Sequence, residues 1–225
     1  MSAALTISLI APIILLLFYQ IAGRNNTLLL YALLWLALTG SICATGLFKI
    51  KPVFFPLLML ATILLTIFCY RKLRFPAISV GLLLGIHALR VPVELVLYSL
   101  YQQKKIPLLM TFEGWNFDIL FGLSALFLLL RFWRTGQSFR GNAFLIWNLI
   151  GMISLTAIVL MAILSSPLPI QQFGFKQPNI GLLEFPFCWL PVFIVPIVYC
   201  CHFRAFSDRS SIKHLFSSTN KKVSP

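Results

Sequence analysis

Residues 77–101 read Ala-Ile-Ser-Val-Gly-Leu-Leu-Leu-Gly-Ile-His87-Ala-Leu-Arg90-Val-Pro92-Val-Glu94-Leu-Val-Leu-Tyr98-Ser-Leu-Tyr101. The run has the length of a membrane-crossing helix, which needs about 20 apolar residues. It also carries His87, Arg90 and Glu94 in its interior. An arginine near the middle of a span costs about 2.5–3.5 kcal/mol on insertion scales, so ionisable residues there face protein rather than lipid. Such a span needs other spans around it.

The rest of the chain supplies them. Apolar runs cover residues 3–22, 27–47, 53–70, 115–133, 143–164 and 182–203. With 77–101 they predict an all-α polytopic membrane protein of seven transmembrane helices. The first run has no basic segment ahead of it and exceeds the apolar length of a signal peptide, so it reads as an uncleaved helix. The expected organisation is a transmembrane domain over residues 1–203 and a basic tail over 204–225. In that tail Phe206, Ile212, Leu215 and Phe216 mix with Arg209, Lys213 and His214, a pattern that suits a short interfacial helix.

Composition agrees. Of the 225 residues 60% are hydrophobic and 10% charged, and the mean hydropathy is +0.94. A soluble domain averages about 25% charged residues. A water-soluble enzyme, a coiled coil and a disordered chain are excluded. The net charge of +13 would suit nucleic acid in a soluble protein, but here the basic residues fall in the gaps between apolar runs. That is how juxtamembrane anchors facing anionic lipid are placed. The expected partner is the lipid bilayer, not nucleic acid.

Lys and Arg are also unevenly divided between the two sets of gaps. Twelve lie on the side that holds Arg24, Arg71, Arg134, Arg140 and the tail, and five on the side that holds Lys49, Lys51, Lys104, Lys105 and Lys176. The excess predicts an N-terminus outside, a C-terminus in the cytoplasm, and a multi-pass position in the cell membrane, the inner membrane if the source is bacterial. Arg24-Asn-Asn-Thr and Arg140-Gly-Asn-Ala each open a run, and Phe55-Pro56 is echoed by Phe185-Pro186. These echoes suit a 3+1+3 arrangement in which the fourth helix links two parallel repeats. That layout is similar to small sugar-efflux transporters, although their proline-glutamine motif is missing. Retinal proteins share the helix count, but the last span lacks the lysine their chemistry requires.

The fourth span holds the strongest chemical signal. His87, Arg90, Glu94, Tyr98 and Tyr101 follow spacings of 3, 4, 4 and 3, which puts all five on one helix face. Arg90 and Glu94 are close enough to pair along the helix, and Pro92 between them should kink it. Glu113, Asn116, Asp118 and Glu184 are expected at the same outer level. Convergence of these carboxylates around Arg90 would attract a cation or hold protons. The acidic residues Glu113 and Glu184 would alternatively complement helix N-termini.

No residues suit a catalytic triad, a phosphate loop or a zinc site, and no cofactor or metal is implied. Cys43, Cys69, Cys188, Cys200 and Cys201 form no C-x-x-C and read as small buried residues. Ser154, Thr156, Thr39, Ser41, Thr45 and Asn148 read as interhelical or backbone hydrogen-bonding groups. The functional expectation is binding or transport of a small solute, cation or proton in a polar pocket. The alternatives are an intramembrane enzyme using carboxylate acid/base chemistry and an assembly subunit without a site.

Overall fold

Where lipid surrounds the chain, a segment must satisfy its own backbone donors and acceptors, and each apolar run does so as a helix. The computed structural model describes residues 2–72, 79–137 and 141–207. It contains α1 (Ala3–Ile21), α2 (Asn26–Ala44), the one-turn α3 (Leu47–Ile50), α4 (Phe55–Lys72), α5 (Val80–Ala88), α6 (Arg90–Gln102), α7 (Asp118–Thr135), α8 (Asn142–Leu164) and α9 (Val195–Ser207). Asn25 caps α2 by accepting the amide of Leu28 at 3.0 Å. Gly46, with φ of 74°, turns the chain from α2 into α3, so the second run ends sooner than residue 47.

Among the described residues, six segments are long and apolar enough to cross a membrane: Ala3–Ile21, Asn26–Ala44, Pro52–Lys72, Val80–Gln102, Asn142–Leu164 and Leu190–Ser207. The protein is therefore helical and hydrophobic, as expected. α7 differs from those six in charge: Asp118, Arg131 and Arg134 all belong to it. Its other side chains include the exposed Leu120, Leu123, Phe127 and Trp133.

Proline explains the internal breaks. Pro92 has no amide hydrogen, so the carbonyl of Ala88 loses its helical donor, and the chain breaks at Leu89, between α5 and α6. The helix is thus interrupted at the place where the sequence put a kink. The seventh run starts later than residue 182, because turns containing Pro186 fill the space up to a π-helical stretch, Leu190–Ile194, that leads into α9. Phe185-Pro186 thus opens no helix, whereas Phe55-Pro56 opens α4. The basic tail beyond Ser207, with its interfacial-helix pattern, lies outside the described residues.

α5 and α6 lie between α1 and α7, and α9 touches α4, α5 and α8. Their core holds Ile7, Ile14, Leu83, Leu84, Ile86, Leu100 and Phe144, all essentially inaccessible. α2 and α4 are peripheral. Only 11% of the α4 span is buried, against 56% of the span containing α9, so most of α4 is left uncovered by the rest of the described chain. Two indoles fasten this periphery. Pro196 deprives the Val192 carbonyl of its helical partner, and Trp35 Nε1 donates to that carbonyl at 3.1 Å. Trp189 Nε1 donates to Leu36 O at 3.1 Å. Gly40 makes room for the Trp189 ring, since a Cβ at this position would stand 3.0 Å from its Cζ2.

Candidate functional site

The break at Leu89 makes Arg90 the first residue of α6, and Asn116 makes Asp118 the first residue of α7. Asn116 Oδ1 accepts the Asp118 amide at 3.0 Å, closing a turn in which Trp115 and Phe117 stay exposed. The fifth run therefore becomes helical only at Asp118. Gly122 lets α6 and α7 approach: a Cβ there would lie 2.9 Å from Val91 Cγ2 and 3.0 Å from Val91 N.

Across this contact Arg90 pairs with Asp118, not with Glu94 as the i, i+4 spacing suggested. Arg90 Nε donates to Asp118 Oδ2 at 2.6 Å and Nη2 donates to Oδ1, a bidentate pair whose two side chains are each 5% exposed. Nη2 also donates to Gly151 O at 3.3 Å. Ser154 Oγ donates to Asp118 Oδ1 at 2.8 Å. The Arg90 guanidinium lies over the Phe121 ring, 4.6 Å from its centroid. A planar donor fork matched to a carboxylate and stacked on an aromatic face is a geometry that lysine could not reproduce.

Glu94, 2% exposed, receives a different partner. Asn116 Nδ2 donates to Glu94 Oε2 at 2.6 Å and to Met110 O at 3.2 Å. Asn116 therefore links the two acidic residues, its amide nitrogen donating to the Glu94 carboxylate and its side-chain oxygen accepting the backbone amide of Asp118.

On the other side of Arg90 stands His202, fully buried in α9. Arg90 Nη1 is 3.5 Å from His202 Nε2, and His202 Nδ1 is 3.1 Å from Asn148 Oδ1. Arginine has no acceptor, so Nε2 is the accepting nitrogen and the Nδ1 proton points at Asn148. Asn148 Nδ2 in turn donates to Phe144 O at 2.8 Å. His87 packs against His202 with ring centroids 4.3 Å apart, edge-on to Phe121 and Trp147, and neither of its ring nitrogens has a hydrogen-bond partner among the described residues.

The structure thus gathers His87, Arg90, Glu94, Asn116 and Asp118, and adds Asn148 and Ser154, which the sequence marked only as hydrogen-bonding groups, and His202, which it did not single out. The signal that could have raised them is a polar side chain on the inward side of an apolar run. Three other candidates lie elsewhere. Glu184 follows a 3₁₀ turn (Gly181–Leu183) and is held by Lys105 Nζ at 2.6 Å and Lys49 Nζ at 2.9 Å. Tyr98 stands beside the exposed Glu113. Neither Glu113 nor Glu184 opens a helix, whereas Asp118 does.

Glu94 and Asp118 also line a cavity of about 300 Å³, within the size range of small-molecule sites. Its other walls are mainly apolar, supplied by Phe55, Met59 and Ile63 from α4, Leu97 from α6, and Ile158 and Ile163 from α8. No group of three His, Cys, Asp or Glu suited to a metal ion occurs among the described residues.

The sequence model of the family described as "Domain of unknown function (DUF8737)" matches residues 47–208, and the chain belongs to that family. The match takes in α3 through α9 and so contains the entire polar cluster. Neither the curated proteins nor the solved structures yield a match.

Proposed function

We propose that this DUF8737 protein is a seven-span protein of the cell membrane that binds, and moves or senses, a small solute or cation in the cavity at Glu94. One observation carries the reading. Two buried carboxylates, Glu94 and Asp118, line a mainly apolar cavity, and the one arginine beside them, Arg90, is bound to Asp118 and not to Glu94. A packing device needs only the neutral Arg90–Asp118 pair. The additional carboxylate in a cavity wall is an expense that a purely structural role leaves without a reason.

In this reading α7 is the remaining span, the N-terminus is outside, and residues 204–225 form a cytoplasmic tail. The twelve-to-five division of Lys and Arg supports that orientation. The meeting of Lys49, Lys105 and Glu184 brings three connections assigned to one and the same side into contact, which supports the alternation of seven spans. Labelling a single cysteine at Gln172 from outside sealed cells tests it. Protection of that site, with labelling of Ser218 from outside, reverses the assignment.

Glu94→Gln tests the site. The amide keeps the shape and an acceptor for Asn116, so the melting temperature of the purified protein should stay within a few degrees of wild type. Any cation-dependent rise in that temperature should disappear. A wild-type protein indifferent to cations and solutes, or a response that survives in Glu94→Gln, refutes the reading.

A further inference from the structure

We propose that the cavity takes a monocationic amphiphile, an alkylammonium-type headgroup on an apolar tail, which enters sideways from the lipid. The inference rests on the binding reading above and names the class of ligand.

Polar capacity in the cavity is nearly all in use. Both Asp118 oxygens are occupied by Arg90 and Ser154. Among the other polar lining residues, Ser166 Oγ donates to Ala162 O, and Asn179 Nδ2 donates to Ala162 O and lies within reach of Ser166 Oγ. Glu94 accepts one bond, at Oε2, and no donor reaches Oε1 among the described residues. Among the described residues, the side-chain acceptor that the cavity lining leaves without a donor is Glu94 Oε1, in a mainly apolar wall.

Charge restricts the headgroup. Arg90 balances one of the two buried carboxylates, so one monocation completes neutrality, and the proton is the smallest that does so. A bare metal cation would need several oxygen ligands in place of its water, and the free acceptor here is one. An ammonium group needs fewer, and its remaining N–H bonds can be met by water or its own headgroup atoms.

Shape argues for the tail. About 300 Å³ is twice the roughly 150 Å³ that accommodates a benzene ring, far more than an ammonium requires. Leu60 and Ile63 line the cavity and are also 53% and 51% exposed on α4, so the opening lies on the lipid-facing side. A ligand partitioned into the bilayer already has its tail at that depth.

The experiment uses the full chain in nanodiscs of zwitterionic lipid and follows its melting temperature with four probes: decylammonium, decanol, methylammonium and sodium. Decylammonium should raise the temperature saturably, by about 5–10 °C at about a hundredfold excess over Kd. The other three should not. Glu94→Gln should lose the rise, and so should Met59→Trp, which fills the apolar end without touching the carboxylate. Decanol acting as strongly as decylammonium, with the effect retained in Glu94→Gln, overturns the proposal in favour of a simple apolar groove. A Glu94-dependent rise with sodium or methylammonium as large as that with decylammonium overturns the amphiphile while leaving a small-cation site. No Glu94-dependent response to any probe overturns both this inference and the reading beneath it.

Discussion

Asp118 and Glu184 are both carboxylates held by cations, and their surroundings could hardly differ more. Asp118 and its partner Arg90 are each 5% exposed and meet through two parallel hydrogen bonds between α6 and α7. Glu184 is 14% exposed and is shared by Lys105 and Lys49, whose side chains are 31% and 53% exposed. The first pair has given up its water. Neither charge has an alternative partner in bulk solvent, so removing one strands the other. The lysines at Glu184 keep access to water and lose little when the carboxylate goes. Contact distance does not separate the two sites; desolvation does.

The sharpest way to break this contrast is to remove one partner and then both. Arg90→Met alone, or Asp118→Leu alone, leaves an uncompensated buried charge and should cost about 3–5 kcal/mol. The double variant Arg90→Met with Asp118→Leu should recover much of that loss, because two apolar side chains fill the same volume. Thermal unfolding of the four proteins in one detergent checks the cycle. Additive losses would mean that the two residues act independently, and the pair would then be no stronger a tie than the one at Glu184.

A smaller effect is expected from the packing that holds Arg90 in place. The Phe121 ring lies under the guanidinium, stacks on Trp147 at 4.2 Å, and rests directly on Gly151. A Cβ at Gly151 would stand 2.0 Å from Phe121 Cζ. Gly151→Ala must displace the ring, and overpacking of this kind costs about 1–3 kcal/mol. Gly46→Ala meets nothing within 4 Å, so any loss there is backbone strain from its φ of 74°. If Gly151→Ala unfolds at the wild-type temperature, Phe121 has room to move and the cluster is less rigid than its contacts indicate.

What could be read in the sequence follows from how far each signal reaches along the chain. Run length marks a membrane span without reference to any other residue, which is why α1 and α8 end within a residue of their expected limits. The break before Pro92 is equally local. The partner of Arg90 is not. Glu94 lies four residues away and Asp118 twenty-eight, and one sequence ranks only the nearer. His202 and Ser154 join the cluster through the packing of α8 and α9, which composition does not encode. Boundaries were displaced where apolar residues serve as something other than helix: Trp115 and Phe117 are exposed in a turn, and the segment around Pro186 forms a connection. The face from His87 to Glu94 was legible because an ionisable stripe in an apolar helix has few places to point. Tyr98, farther along that stripe, lies where the helix has left the cluster, beside the exposed Glu113.

Glu184 should give the smallest effect, with a sign fixed by its neighbours. Burial acts to raise its pKa, but the hydrogen bonds and charges of Lys105 and Lys49 outweigh burial and hold the carboxyl below its ordinary value. The folded state therefore binds a proton at Glu184 less readily than the unfolded state does. Stability from the two lysine contacts is complete above the unfolded value of about 4.3 and is lost as the pH falls through the lower folded value. Glu184→Gln abolishes that contribution, which for so accessible a cluster should stay below about 1 kcal/mol. Melting temperatures of wild type and Glu184→Gln should differ slightly but steadily above about pH 5 and approach each other as the solution is acidified. Added salt should narrow the gap, because exposed charges are screened over about 10 Å at 0.1 M ionic strength. Other carboxyls titrate in both proteins, so the difference between the two curves is the quantity to follow. A gap that widens on acidification would give the shift the opposite sign. A gap approaching that of the Asp118 variants would show that Glu184 is as desolvated as the buried pair, and the contrast between the two sites would fail.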